Sequence, residues 1–136
     1  MSILPPTGVI VPIVTPFTKS GAIDWPACER LLEHVISGGV DAVFVLGTTG
    51  EGPSLGFEEK RALVRFTCEK TRKRVPVYVG VMDTSLAESL RLTEFSHACG
   101  ADAAVIVPSP YFPAGVKEQI AFFREFVEGS RLPVIL

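Results

Sequence analysis

Asp41-Ala42-Val43-Phe44-Val45-Leu46-Gly47-Thr48-Thr49-Gly50-Glu51 is the stretch that decides the fold. Residues 42–46 form an apolar run without period-two alternation, which reads as a strand buried on both faces. The run stops at a Gly-flanked turn carrying two adjacent hydroxyls. Such a turn at a strand's carboxyl end can present hydroxyls and several backbone N–H groups to a small anion. An ordinary strand-to-helix turn fits the same five residues, so the context has to separate the two readings.

That context is a repeat. Val- and Ile-rich runs also occupy residues 9–14, 77–81, 103–107 and 134–136, and each reads as a strand of a parallel sheet. Four amphipathic helical patterns lie between them, at 24–37, 56–73, 85–99 and 116–128. Asp24 is the expected N-cap of the first, with Pro26 in its first turn, and Gly100 the expected C-cap of the third. The first helix should bury Leu31, Leu32, Val35 and Ile36. The second should turn Phe57, Ala62, Leu63, Phe66 and Thr67 inward and Lys60, Arg61, Glu69 and Lys70 outward. The fourth should turn Ile120, Phe123 and Val127 inward.

Strand starts recur about thirty residues apart, the interval of a βα unit. There is an internal echo at twice that interval. Gly39-Val40-Asp41-Ala42 returns as Gly100-Ala101-Asp102-Ala103, and Arg74-Val75-Pro76-Val77 as Arg131-Leu132-Pro133-Val134. Repeated βα units predict a (β/α)8 TIM barrel or a doubly wound sheet. The barrel is the stronger reading, because no helical pattern follows the fifth run to complete a five-stranded flavodoxin-like protein. A barrel needs about 250 residues. The 136 residues are therefore expected to be the N-terminal half of a single barrel domain, covering four βα units and the start of strand five.

Composition narrows the class of function. A chain 47% hydrophobic and 21% charged is globular, and a net charge of −2 gives no footprint for nucleic acid or an anionic membrane. Three scattered cysteines (Cys28, Cys68 and Cys99) form neither a disulfide framework nor a zinc motif. Each should be a small buried or half-buried side chain. The first residues lack the pattern of a signal peptide, and no apolar run approaches the roughly 18–20 residues of a membrane span. A reducing, cytoplasmic setting is expected.

In a barrel, chemistry belongs to the loops after the strands. Here these are Thr15-Pro16-Phe17, Gly47-Thr48-Thr49-Gly50-Glu51, Met82-Asp83-Thr84 and Pro108-Ser109-Pro110-Tyr111-Phe112. They are rich in hydroxyls and contain no His, no Cys and no clustered carboxylates, which points away from metal chemistry and thiol catalysis. The glycine turn lacks the Lys-Ser/Thr of a P-loop and the Gly-x-Gly-x-x-Gly of a dinucleotide site. No cofactor and no metal are expected. His34 and His97 fall in helices, away from strand ends. Every lysine (Lys19, Lys60, Lys70, Lys73 and Lys117) reads as a solvated ammonium on a loop or outer helix face.

The chain resembles the dihydrodipicolinate synthase / N-acetylneuraminate lyase family of class I pyruvate-dependent aldolases. The resemblance rests on residues 11–17 (Val-Pro-Ile-Val-Thr-Pro-Phe), Gly47-Thr48-Thr49-Gly50-Glu51 with Ser54, Leu55 and Glu58, and Val75-Pro76-Val77. It continues through Ala101-Asp102-Ala103, Pro110-Tyr111-Phe112 and Leu132-Pro133-Val134-Ile135-Leu136. It implies a TIM barrel, usually a homotetramer, that joins a strand-six lysine to a 2-oxo acid such as pyruvate as a Schiff base. It places Gly47, Thr48, Thr49 and Thr15 around the substrate, with Thr48 and Thr49 holding its carboxylate by charge-assisted hydrogen bonds. It also places Thr48 and Tyr111 in a proton relay.

Two departures matter. Synthases usually carry two tyrosines after the proline, whereas Phe112 has no hydroxyl to pass a proton. The loop after strand three is usually made of small residues, whereas this chain has Met82 and Asp83. Gly52-Pro53 is similar to members acting on 2-keto-3-deoxy sugar acids. The Schiff-base lysine falls beyond residue 136, so these residues alone are not expected to catalyse the family reaction. A non-catalytic half-barrel binding 2-oxo acids, and a phosphate-binding barrel of another family, stay open on the residues alone.

Overall fold

Each of the five apolar runs becomes a strand of one parallel sheet. The computed structural model describes residues 7–108 and 113–136. The strands are β1 (Ile10–Pro12), β2 (Ala42–Val45), β3 (Val77–Gly80), β4 (Ala103–Val105) and β5 (Val134–Ile135). They lie side by side in chain order, all parallel. Four helices connect them: α1 (Trp25–Ser37), α2 (Phe57–Thr71), α3 (Leu86–Cys99) and α4 (Val116–Gly129).

The strands are one to three residues shorter than the apolar runs. In β2 the cause is local, because Leu46 takes a left-handed φ of 62° and turns the chain out of the ladder. Burial on both faces holds in the middle of the sheet, where Val43, Val45, Val77, Val79 and Ala104 are inaccessible. It fails at the edges. Residues of β1 and β5 are half-buried, and Pro12 is exposed, since each strand has one strand neighbour.

Helix ends follow local chemistry. The Asp24 carboxylate accepts the Ala27 N–H at 2.9 Å, with Pro26 in the first turn of α1. Ser85 caps α3 through the Glu88 N–H, and Gly100 ends that helix at φ 87°. The α2 N-terminus holds Glu58 and Glu59 against its dipole, and Glu59 accepts the Gly56 N–H at 2.8 Å.

Two expected helix faces need correction. In α4 the side chain that enters the core is Phe126, fully buried, while Ile120 and Val127 are 52% and 50% exposed. The helix carries two overlapping apolar stripes, and periodicity cannot rank them. The core takes Phe126 fully and Phe122 and Phe123 in part, and full burial of such a side chain is worth about 1.5–3 kcal/mol. In α2, Lys60 is not outward. It is 8% exposed and sits on the same stripe as Leu63, Val64, Thr67 and Thr71. The three cysteines are unpaired, Cys28 buried and the other two half-buried, and His34 and His97 are exposed.

The sequence echo is a structural device at the amino ends of the strands. Asp41 donates its N–H to the Val9 carbonyl at 2.9 Å and accepts the Val9 N–H on its carboxylate at 2.7 Å. Asp102 does the same to Val77, both bonds at 2.9 Å. The proline echo repeats too. Pro76 accepts from the Val43 N–H, and Pro133 from the Ala104 N–H. Arg74 pairs with Glu33 and Arg131 with Glu94. Two βα units therefore repeat their contacts as well as their residues.

Candidate active site

The carboxyl ends of the strands are where the Gly-Thr-Thr-Gly-Glu segment lies. After left-handed Leu46, Gly47 is extended, Thr48–Gly50 forms one 3-10 turn, and Gly52–Ser54 forms a second. Glu51 joins them at φ 55°. Two non-glycine residues in the left-handed region within six positions mark strained backbone, each costing on the order of 1 kcal/mol or more. The turn closes on itself through Gly50 and Gly52 N–H groups donating to the Gly47 carbonyl, at 3.0 and 3.2 Å, and through Glu51 donating to Thr48.

The N–H groups of Thr48 and Thr49 open the first turn, and among the described residues neither donates to another backbone carbonyl. Both threonine side chains are exposed, while Gly47 and Gly50 are buried. Two exposed, adjacent threonines, each with a hydroxyl and an N–H that meets no backbone carbonyl, therefore follow the carboxyl end of β2, a donor set that suits a carboxylate.

The turn is held from behind. Thr15 is 5% exposed, and its hydroxyl donates to the Gly50 carbonyl at 2.7 Å. Thr15 thus supports the turn from the end of the β1 segment, with its hydroxyl engaged by the Gly50 carbonyl. A Cβ on Gly50 would come within 2.8 Å of the Ile13 carbonyl, so this approach requires glycine. On the other side Gly80 of β3 and Gly52 both pack on the Leu46 carbonyl, where neither could carry a side chain.

One pair near this site escaped the sequence reading. Lys60 Nζ lies 3.8 Å from Asp83 Oδ2, with side chains 10% and 30% exposed. The signal was available: Lys60 stands three residues after Phe57 and three before Leu63, on the apolar stripe. Tyr111, the expected relay residue, lies outside the described residues. Among the described residues no group of three His, Cys, Asp or Glu side chains could hold a metal, and no helix is long and apolar enough to cross a membrane. Burial and the neighbouring Cys99 push the Cys68 thiol up to about 12, and burial beside Asp24 raises Cys28, so neither supplies a ready thiolate.

The model of the dihydrodipicolinate synthetase family matches residues 5–136. The chain belongs to that family. A 4-hydroxy-tetrahydrodipicolinate synthase of Ralstonia nicotianae is 37% identical over 131 residues, 96% of this chain and 44% of that protein. YagE of Escherichia coli K12, assigned only provisionally as a 2-dehydro-3-deoxy-D-gluconate aldolase, is 35% identical over 96% of this chain and 43% of its own length. Its structure in complex with pyruvate superimposes with a TM-score of 0.90 over 94% of this chain. The dihydrodipicolinate synthase of Bacteroides thetaiotaomicron gives 0.91 at 40% identity, covering 98% of this chain and 45% of that one. The chain spans less than half the length of these relatives. The fold is that of the first four βα units of a (β/α)8 TIM barrel and the start of its fifth strand.

Proposed function

We propose that this family member is part of a Schiff-base-forming class I aldolase or lyase that acts on pyruvate or a related 2-oxo acid. The observation that carries the reading is the exposed Thr48–Thr49 turn, whose two N–H groups meet no backbone carbonyl and which Thr15 braces through the Gly50 carbonyl. YagE, similar over 94% of this chain, was solved with pyruvate bound, which supports pyruvate as the ligand.

On this reading Thr48 and Thr49 hold the substrate carboxylate and Gly47 lets the chain approach it. The Thr48 hydroxyl, donor and acceptor at once, passes a proton together with Tyr111. A lysine amine attacks the 2-oxo carbon and water leaves; the iminium either takes up the electron pair of a breaking C–C bond or loses a proton from the adjacent carbon to give an enamine that attacks a second carbonyl. These residues form the N-terminal half of one barrel domain, in a cytoplasmic homotetramer, a reading supported by their spanning less than half the length of the relatives, with that lysine supplied by the other half. The apolar β1 edge supports this half-barrel reading, since Val9 and Val14 are exposed there.

A second reading within the family is a 2-keto-3-deoxy sugar acid aldolase or dehydratase. Gly52-Pro53 and the likeness to YagE favour it, and Phe112 removes one relay hydroxyl of the synthases. The test is intact mass of the full-length protein after incubation with pyruvate and borohydride. One reduced pyruvate adduct per chain is expected. A protein that gives none, while folded, overturns the catalytic reading in favour of a non-catalytic 2-oxo-acid-binding role.

A further inference from the structure

We propose that Lys60 and Asp83 form a positioning clamp for the Thr48–Thr49 turn, an inference that rests on the 2-oxo-acid reading above. Lys60 lies in the first turn of α2, directly after the segment that leaves the site through Glu51 and Gly52. Asp83 lies three residues beyond Gly80, whose backbone packs on Leu46 and Gly47. The pair therefore joins the two segments that flank the strained turn. Asp83 is itself fixed, because its Oδ1 accepts the Ser85 N–H at 3.0 Å where Ser85 caps α3.

Stability does not account for the pair. At 3.8 Å it makes no direct hydrogen bond, and a nearly buried ammonium loses hydration that so long a contact restores poorly. An apolar side chain on this stripe would hold α2 at least as well. What the charges add is direction: α2 can dock with its first turn over Asp83 and not elsewhere. The turn then has three ties, Thr15 from the β1 side, Gly80 beneath and Lys60–Asp83 across the flank. Lys60 acts through the turn and does not touch substrate.

The experiment measures borohydride trapping of pyruvate by the full-length protein as a function of pyruvate concentration. Lys60→Met and Asp83→Asn should each raise the half-saturating concentration about five- to ten-fold, with a smaller effect on the maximal trapping rate. The double variant should be no worse than the worse single, and Lys60→Arg should restore most of the loss. A folded Lys60→Met with unchanged half-saturation overturns the clamp. Additive effects, or an adduct mapped to Lys60 itself, overturn it equally. If Lys60→Met does not fold, Asp83→Asn and Lys60→Arg decide on the same criterion. An unsubstituted protein that traps no pyruvate overturns the function proposed above and the clamp with it, whereas trapping with unmoved variants overturns the clamp alone.

Discussion

At the amino ends of the strands, Asp41 and Asp102 each grip a neighbouring strand through two reciprocal hydrogen bonds, and the geometry is repeated two βα units apart. At the carboxyl ends, the segment from Leu46 to Ser54 occurs once, carries two left-handed non-glycine residues and leaves two threonines exposed. The first edge satisfies its polar groups internally, with backbone carbonyls and the two aspartate carboxylates. The second leaves donors open and is kept in shape by packing from below. Where polar groups are satisfied internally the structure gains stability, and where donors are left open in a strained turn it gains a place for a ligand.

Substitutions can break this contrast from either side. The largest expected effect is at the open edge. Thr48→Val in the full-length protein should lower pyruvate trapping by about 100-fold or more, with unfolding free energy changed by less than about 1 kcal/mol. Parallel trapping and denaturant titration check it, and equal losses in both would erase the distinction between the edges. The converse is Asp102→Ala, which strands the Val77 N–H and removes the Lys73 partner. It should cost about 2–3 kcal/mol of stability while trapping at low temperature is retained. Asp41→Ala, at the exposed copy of the device, should cost less, about 1 kcal/mol.

Thr15→Val sits between the two edges. It leaves the buried Gly50 carbonyl without its donor, so it should lower stability by about 1–2 kcal/mol and weaken pyruvate half-saturation together. If only stability moves, Thr15 belongs with the structural edge. The smallest effect is electrostatic. The Cys68 thiol is held near 12 in the fold against an ordinary value near 9. The neutral thiol is the form the fold favours, so its contribution is intact below pH 9 and is lost as pH rises toward 12. Cys68→Ala should flatten the alkaline limb of a stability-against-pH curve, and Cys28, raised in the same direction, should leave part of that limb in place.

The periodic parts of the molecule were legible in the sequence. Continuous Val/Ile runs marked the central strands, and Asp24, Ser85 and Gly100 sit at helix ends, as their short polar or absent side chains demand. The Gly-flanked threonines could be placed at a strand end because apolar run and turn adjoin. What was not legible depends on competition between elements. Two apolar stripes on α4 look equivalent until the neighbouring helix and sheet choose Phe126. Lys60 reads as solvent-facing by residue type although its spacing from Phe57 and Leu63 puts it on the apolar stripe, and the position of Asp83, on another loop, shows what it meets there. The role of Asp41 and Asp102 was visible as repetition but not as chemistry, since the partner N–H groups belong to strands 32 and 25 residues away.

The aspartate device also sets where this polypeptide could be reconnected. Asp41 ties β2 to the start of β1, and Asp102 ties β4 to the start of β3, so strands are bracketed in pairs. New termini placed between α2 and β3 would leave both brackets within continuous chain. New termini between β1 and β2 would ask a bracket to hold two loose ends. The seam for circular permutation, and for exchanging segments with a related chain, therefore lies near residues 72–75, after every second βα unit and not after each one.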